Sequence, residues 1–96
     1  MLRVERLRRT CSAMPAQWEG LTENGRSIYV RYRHSVLRIG VGNDLGRAID
    51  NAFSDDAVFI LRLGPHVSSG MMSFGELKRL TEGRIEWPSE ETDAAH

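Results

Sequence analysis

The dipeptide Asn24-Gly25 constrains the fold of this chain more than any other local feature. Asn and Gly readily adopt the positive φ angles of a type I′ turn, so the sequence predicts a two-residue loop between antiparallel strands. That loop fixes the pairs across the hairpin, which are Glu23–Arg26, Leu21–Ile28, Glu19–Val30, Gln17–Tyr32 and Trp18–Arg31. Because side chains alternate along a strand, this register directs Leu21 and Trp18 to opposite faces of the hairpin.

A second hairpin follows if His34-Ser35 forms another two-residue loop. Its pairs are Tyr32–Leu37, Val30–Ile39 and Ile28–Val41 on one face, and Arg31–Arg38 and Tyr29–Gly40 on the other. Both turns direct one apolar set to the same face, namely Leu21, Ile28, Val30, Tyr32, Leu37, Ile39 and Val41. A shift of one residue would reverse every side chain, so this agreement predicts a β-meander with one buried face.

Two helices are predicted from capping residues and apolar spacing. Asn43 or Asp44 caps a helix that runs to about Phe53 with one apolar stripe. Ser73 and Glu76 match the capping box that begins a second helix. Together with the meander, these helices predict an α+β fold. In that fold, a mainly antiparallel sheet of three to five strands carries both helices on one face.

Shorter signals predict the remaining elements. We expect an arginine-rich edge strand over Leu2–Thr10, a buried strand over Ala57–Leu63 and a short edge strand over Arg84–Trp87. The sequence therefore predicts one α+β domain over residues 1–88. Residues 89–96 are predicted to form an acidic, flexible C-terminal tail.

The net charge of zero hides a difference between the two halves of the chain. Residues 1–47 carry nine arginines and four acidic residues, whereas residues 48–96 carry four basic and nine acidic residues. Such a distribution is typical of a protein with two binding poles, or of two halves that attract each other across the fold.

Residues that could support catalysis or bind a metal are scattered along the chain. Cys11 is the single cysteine, and His34, His66 and His96 are far apart. Metal sites need clustered ligands, and no catalytic motif is recognisable, so we expect no metal, no other cofactor and no enzymatic activity. Gly40, Gly42 and Gly46 have a spacing similar to that of a dinucleotide-binding loop between a strand and a helix. The preceding strands form an antiparallel meander rather than a βαβ unit, so we expect no dinucleotide site.

Hydropathy and cysteine usage indicate where the protein acts. No apolar run approaches the ~20 residues that a membrane-spanning helix needs, and the N-terminus lacks the apolar segment of a secretory signal. A lone cysteine is consistent with a reducing compartment. We therefore expect a cytoplasmic protein without a membrane partner, and its oligomeric state stays open.

The face of the meander opposite the apolar set is the predicted binding surface. It carries aromatic and basic residues, namely Trp18, Tyr29, Arg31, Arg33 and Arg38. Three interpretations are open: a solvated face, a protein interface rich in hot-spot residue types, or a surface that stacks bases and binds phosphates of single-stranded nucleic acid. A second, acidic candidate surface consists of Asp55, Asp56, Glu86 and Glu90.

The run Cys11-x-x-Met14-Pro15-Ala16-Gln17-Trp18-Glu19-Gly20, with Asn24-Gly25-Arg26 and Tyr29-x-Arg31-Tyr32-Arg33, resembles small uncharacterised proteins of phages and mobile elements. In that pattern a second cysteine often stands where this chain has Met14. The resemblance carries no activity of its own, but small phage proteins are associated with inhibition of host defence, as in anti-CRISPR proteins. By that association we expect a protein that binds, and inhibits, a larger protein or nucleoprotein complex. A single-stranded nucleic-acid-binding module is the alternative, and a small acid–base enzyme is a more distant one.

Overall fold

The computed structural model describes residues 1–11, 15–64 and 70–93. The strands are β1 (Leu2–Cys11), β2 (Ala16–Thr22), β3 (Ser27–Arg33), β4 (Val36–Gly42), β5 (Phe59–Arg62), β6 (Ile85–Glu86) and β7 (Thr92–Asp93), and the helices are α1 (Leu45–Ala52) and α2 (Phe74–Leu80). Six strands lie in the order β5-β4-β3-β2-β1-β6, and β7 also pairs with β1. The pairs of β1 with β6 and β7 are parallel, and the others are antiparallel.

The predicted α+β class is therefore confirmed, whereas the predicted count of three to five strands is wrong. The difference arises at β1, which spans 10 residues and is long enough to pair with two further segments. The sequence prediction of an edge strand fails for the same reason, because β1 lies between β2 and the short strands β6 and β7.

The second hairpin has the predicted register. His34 and Ser35 both have positive φ angles, 53° and 61°, as a two-residue type I′ loop requires. The pairs Tyr32–Leu37, Val30–Ile39, Ile28–Val41, Arg31–Arg38 and Tyr29–Gly40 are all present.

The first hairpin differs from its predicted register by one residue. In the turn only Gly25 has a positive φ angle, and the Thr22 backbone nitrogen donates to the Arg26 carbonyl oxygen at 2.8 Å. The loop therefore contains three residues and ends on a left-handed glycine, the other common hairpin geometry. As a result, Trp18 pairs with Val30 instead of Arg31, and Leu21 pairs with Ser27. Trp18 thus joins the buried face and Leu21 leaves it.

The main core lies between one face of the sheet and α2. It contains Val4, Leu7, Ala16, Trp18, Ile28, Val30, Tyr32, Leu37, Ile39, Val41, Met72, Leu77 and Ile85. The Ser73 hydroxyl accepts a hydrogen bond from the Glu76 backbone nitrogen at 3.1 Å, so α2 begins at the predicted cap.

Helix α1 packs on the opposite face of the sheet, so the prediction that both helices share one face is wrong. A Cβ atom added to Gly40 would lie 2.1 Å from the carbonyl oxygen of Ala48, which shows how closely the helix backbone approaches β4. Tyr29, Ala48 and Ala52 form a second, smaller core there. Asp44 caps the helix as predicted, because its Oδ1 accepts from the Arg47 backbone nitrogen at 2.8 Å.

Three further segments differ in detail from the sequence prediction. The predicted buried strand Ala57–Leu63 is shorter and lies at the edge of the sheet as β5, where Ile60 is 46% exposed. The predicted edge strand Arg84–Trp87 is present as β6. In the predicted tail, Thr92 pairs with Arg8 of β1, and residues 94–96 lie outside the described residues. Neither described helix is long and apolar enough to cross a membrane.

Candidate binding surface

The three arginines of the predicted surface lie together on the face of the sheet that carries α1. Arg31 pairs directly with Arg38 across β3 and β4, and Arg33 pairs with Val36 one step further along the same face. Arg31 and Arg38 are half-buried and Arg33 is exposed. The second hairpin therefore brings the three guanidinium groups to one corner of the sheet, as its predicted register requires.

Phe53, at the C-terminal end of α1, holds two of these arginines in place. The residue is 48% exposed, and the guanidinium carbons of Arg31 and Arg38 lie 5.4 and 5.6 Å from the ring centroid. These distances are in the range of cation–π interactions. Arg38 Nη1 also donates to the carbonyl oxygen of Ala52 at 3.4 Å, at the negative end of the helix. The Phe53 ring and the C-terminal end of α1 thus offset part of the repulsion between Arg31 and Arg38.

The arginines surround a shallow cavity of about 210 Å³. We call this surface the arginine cleft, and its residues are Arg31, Arg33, His34, Val36, Arg38 and Phe53. Within the described part of the chain, no carboxylate forms an ion pair with Arg31, Arg33 or Arg38, whereas Arg3, Arg8 and Arg9 are each paired with a glutamate. The cleft is therefore a positively charged site that the described residues leave without a neutralising carboxylate.

Trp18 is not part of this surface. Its side chain is fully buried in the main core, because the three-residue loop turns it to that face. The predicted stacking of Arg31 on Trp18 is therefore wrong. Arg9, which pairs with Trp18 across β1 and β2, stacks on the indole instead, with 4.4 Å from the guanidinium carbon to the ring centroid.

Tyr29 is buried under α1 beside Phe53 and does not line the arginine cleft. The ring is 5% exposed beneath α1, and its centroid lies 6.3 Å from that of Phe53. Its hydroxyl oxygen accepts a hydrogen bond from Gln17 Nε2 at 3.0 Å. Tyr29 is therefore positioned to fix the base of the Phe53 ring, and it presents little area to a partner.

The four acidic candidates do not form a single surface. Asp55 and Asp56 are exposed in the turn between α1 and β5, at one edge of the sheet. Glu86 lies in β6, at the other edge, where its carboxylate pairs with Arg3 at 2.9 Å. Glu90 is exposed beside a separate, larger cavity of about 510 Å³. The structure therefore divides this predicted surface into unconnected parts.

The sequence did not identify Phe53 as a site residue. Its spacing assigned it to the apolar stripe of α1, but the helix ends at Ala52, and the ring lies beyond the covered part of the face. A signal was available in the run Ser54-Asp55-Asp56, whose polar residues indicate that the chain leaves the core directly after Phe53.

Neither similarity to other proteins nor metal-binding geometry in the described part of the chain indicates a function. No protein-family model, curated protein or solved structure matches the chain. Among the described residues, no three His, Cys, Asp or Glu side chains are grouped closely enough to hold a metal ion. Cys11 is a free, half-buried thiol. The arginine cleft is the candidate site because its arginines form no ion pair within the described residues, and its chemistry is that of anion binding.

Proposed function

We propose that this chain is a non-enzymatic interaction protein that binds a larger protein or nucleoprotein complex through the arginine cleft. One observation carries the proposal: Arg31, Arg33 and Arg38 line one cavity with the half-exposed Phe53, and none of the three has a carboxylate partner among the described residues. Arginine and aromatic residues, phenylalanine included, are enriched at the cores of protein interfaces. The partner surface therefore carries carboxylates beside an apolar group.

Electrostatic repulsion argues against a merely solvated face. Arg31 and Arg38 are directly opposed in the sheet, and like charges at such positions destabilise the pairing. A bound carboxylate would offset the repulsion between Arg31 and Arg38, so binding would stabilise the pairing of β3 with β4. Phe53 and the end of α1 also restrict the two side chains before binding, which lowers the entropy lost in the complex.

Single-stranded nucleic acid is the second candidate partner. Phe53 offers an exposed ring on which a base can stack, and the surrounding arginines can bind phosphates. The chain as a whole has no net charge, and Asp55 and Asp56 follow Phe53 closely in sequence. A nucleic-acid surface is usually positive over a wider area, so we rank this function second.

The experiment is quantitative capture from the native host with the tagged protein and two charge-reversal variants. Arg31→Glu changes the cleft, and Arg26→Glu makes the same charge change at an exposed position outside it. We expect one host complex to be retained by the wild type and by Arg26→Glu, and lost with Arg31→Glu. Equal retention by both variants would show that the cleft is not the contact surface.

Inhibition of the captured complex is a further part of the proposal, and it rests on the resemblance to small phage proteins. The test is the activity of the captured complex with added wild-type protein or Arg31→Glu. We expect the wild type to reduce that activity in proportion to occupancy, and the variant to leave it unchanged.

A further inference from the structure

The outer edge of β5 is an open strand edge beside the arginine cleft. β5 is the terminal strand of the sheet, and no described strand pairs with its other side. The Leu63 backbone nitrogen donates to the Ser35 carbonyl oxygen at 2.8 Å, which makes these two residues a hydrogen-bonded pair. Because such pairs alternate along an antiparallel ladder, the backbone N–H and C=O groups of Ile60 and Arg62 point away from β4.

On the face that carries α1, the register places four arginines in two rows that lead to this edge. One row runs Arg33, Val36, Arg62 across β3, β4 and β5, and the next runs Arg31, Arg38, Ile60. In the described part of the chain Arg62, like the arginines of the cleft, forms no ion pair. The positive surface therefore extends from the cleft to the last strand of the sheet.

The other face of β5 is apolar and incompletely covered. Phe59, Leu61 and Leu63 pack against the main core, but each remains partly exposed. A further strand beside β5 would place alternate side chains over these three residues. Its remaining side chains would lie on the opposite face, next to Ile60 and Arg62.

We infer that the partner binds by strand addition: an extended segment with alternating acidic and apolar residues pairs with the open edge of β5. The inference rests on the proposed function, because it describes how the partner of the arginine cleft is held. Acidic side chains on one face of the added strand lie beside Arg62, the arginine on β5, and face the positive potential of the cleft. Apolar side chains on the other face cover Phe59 and Leu61. Main-chain hydrogen bonds to Ile60 and Arg62 supply affinity.

Charge selects this occupant over a second copy of the chain. Pairing of β5 with β5 of another copy would place two sets of the same four arginines on one continuous sheet face. Like charges across strands are destabilising, whereas an acidic strand removes the repulsion. Asp55 and Asp56 precede β5, at the end away from Arg62, so the acidic residues of the partner are expected nearest Arg62.

The test uses a fluorescein-labelled octapeptide of alternating Val and Glu and measures its binding by fluorescence anisotropy. The matched control is a peptide of the same composition with the four Val and the four Glu in separate blocks. We expect the alternating peptide to bind about tenfold more tightly, since only it can place all its acidic groups on one face of an added strand. Equal binding of the two peptides would overturn strand addition.

Two changes then test the main-chain contact directly. Ile60→Pro removes an N–H that points away from β4, so the hydrogen bonds to β4 stay intact, and edge strands tolerate proline at such positions. Ile60→Ala keeps this N–H and serves as the control. We expect peptide binding to be lost with Pro and retained with Ala. N-methylation of alternate peptide amides tests the same bonds on the unchanged protein: one set of methyl groups should abolish binding, and the other set should not.

The outcomes separate this inference from the proposed function. If Arg31→Glu abolishes peptide binding while Ile60→Pro and both N-methylated sets bind normally, strand addition is wrong and the arginine cleft stands. If the peptide does not bind at all but Arg31→Glu still loses the host complex, the cleft again stands without strand addition. Tighter binding of a labelled oligothymidylate, lost with Arg31→Glu, would overturn the inference in favour of nucleic acid.

Discussion

The indole nitrogen of Trp18 donates a hydrogen bond to Oε2 of Glu91, which ties the centre of the main core to a segment 73 residues further along the chain. The other carboxylate oxygen of Glu91 accepts from Arg9 Nε at 3.1 Å. Arg9 in turn stacks on the indole and donates to the Met72 carbonyl oxygen at 3.0 Å. Arg9 of β1, Trp18 of β2 and Glu91 of the C-terminal segment thus provide hydrogen-bond and stacking partners for one another next to the core.

We predict that Glu91→Ala lowers the free energy of unfolding by about 2 kcal/mol. The substitution leaves the Trp18 N–H and the Nε of the largely buried Arg9 without their acceptor, and unsatisfied groups of this kind are costly. Chemical denaturation measures the change. Glu90→Ala is the control, because Glu90 is exposed, and we expect a change within about 0.5 kcal/mol. Similar changes for both variants would show that the contacts of Glu91 contribute little.

The corrected register of the first hairpin has its own test. Trp18→Ala should lower the free energy of unfolding by about 3–5 kcal/mol, as large-to-small substitutions in a core do. Leu21, which the longer loop turns to the other face, is half-exposed, so Leu21→Ala should cost about 1 kcal/mol. The predicted two-residue loop would give the opposite order. Denaturation of the two variants under one condition therefore distinguishes the registers.

The close approach of α1 to β4 predicts that Gly40→Ala is strongly destabilising. The added methyl group would overlap the Ala48 carbonyl oxygen and the Ala52 backbone, so α1 must move away from the sheet. We expect a loss of at least about 2 kcal/mol in the free energy of unfolding. Gly75→Ala in α2 is the control: a Cβ there meets nothing closer than 3.8 Å, and the better helix propensity of Ala should stabilise the protein slightly. An unchanged free energy of unfolding for Gly40→Ala would mean that α1 does not approach β4 this closely.

The parts of the fold that local chemistry determines could be predicted from sequence. His34-Ser35 gave the correct second hairpin, and the caps Asp44 and Ser73 gave the correct helix starts, because each signal involves neighbouring residues only. Asn24-Gly25 is compatible with two loop lengths. The longer loop buries Trp18, which interacts with Arg9 and Glu91, and no local pattern indicates those distant contacts.

The candidate site was predictable to the same extent. Arg31, Arg33 and Arg38 come together because the second hairpin fixes their register. The position of Phe53 above them depends on which face of the sheet α1 covers. Gly40 decides this by allowing the helix backbone to approach, and the sequence interpretation had assigned Gly40 only to a cross-strand contact with Tyr29. The sequence therefore predicts the three arginines of the site but not Phe53, on whose ring two of them stack.

Phe53 provides the sharpest test of the arginine cleft. Phe53→Ala removes the ring on which Arg31 and Arg38 stack, so both side chains become free to move and the apolar contact with the partner disappears. We expect binding of the captured host complex to weaken by about 2 kcal/mol or more, as for a central hot-spot residue. The free energy of unfolding should change less than for Trp18→Ala, because about half of the Phe53 side chain is already exposed.

Phe53→Trp is the matched control for this prediction, because the indole is the strongest cation–π partner and keeps both arginines stacked. Titration of immobilised partner with wild type, Phe53→Ala and Phe53→Trp measures the three affinities, and we expect the Trp variant to bind within a few-fold of the wild type. If Phe53→Ala binds the partner as tightly as the wild type and only Arg31→Glu loses binding, recognition depends on charge alone. The ring would then serve to cover Tyr29 and the end of α1, and the partner would need no apolar group opposite it.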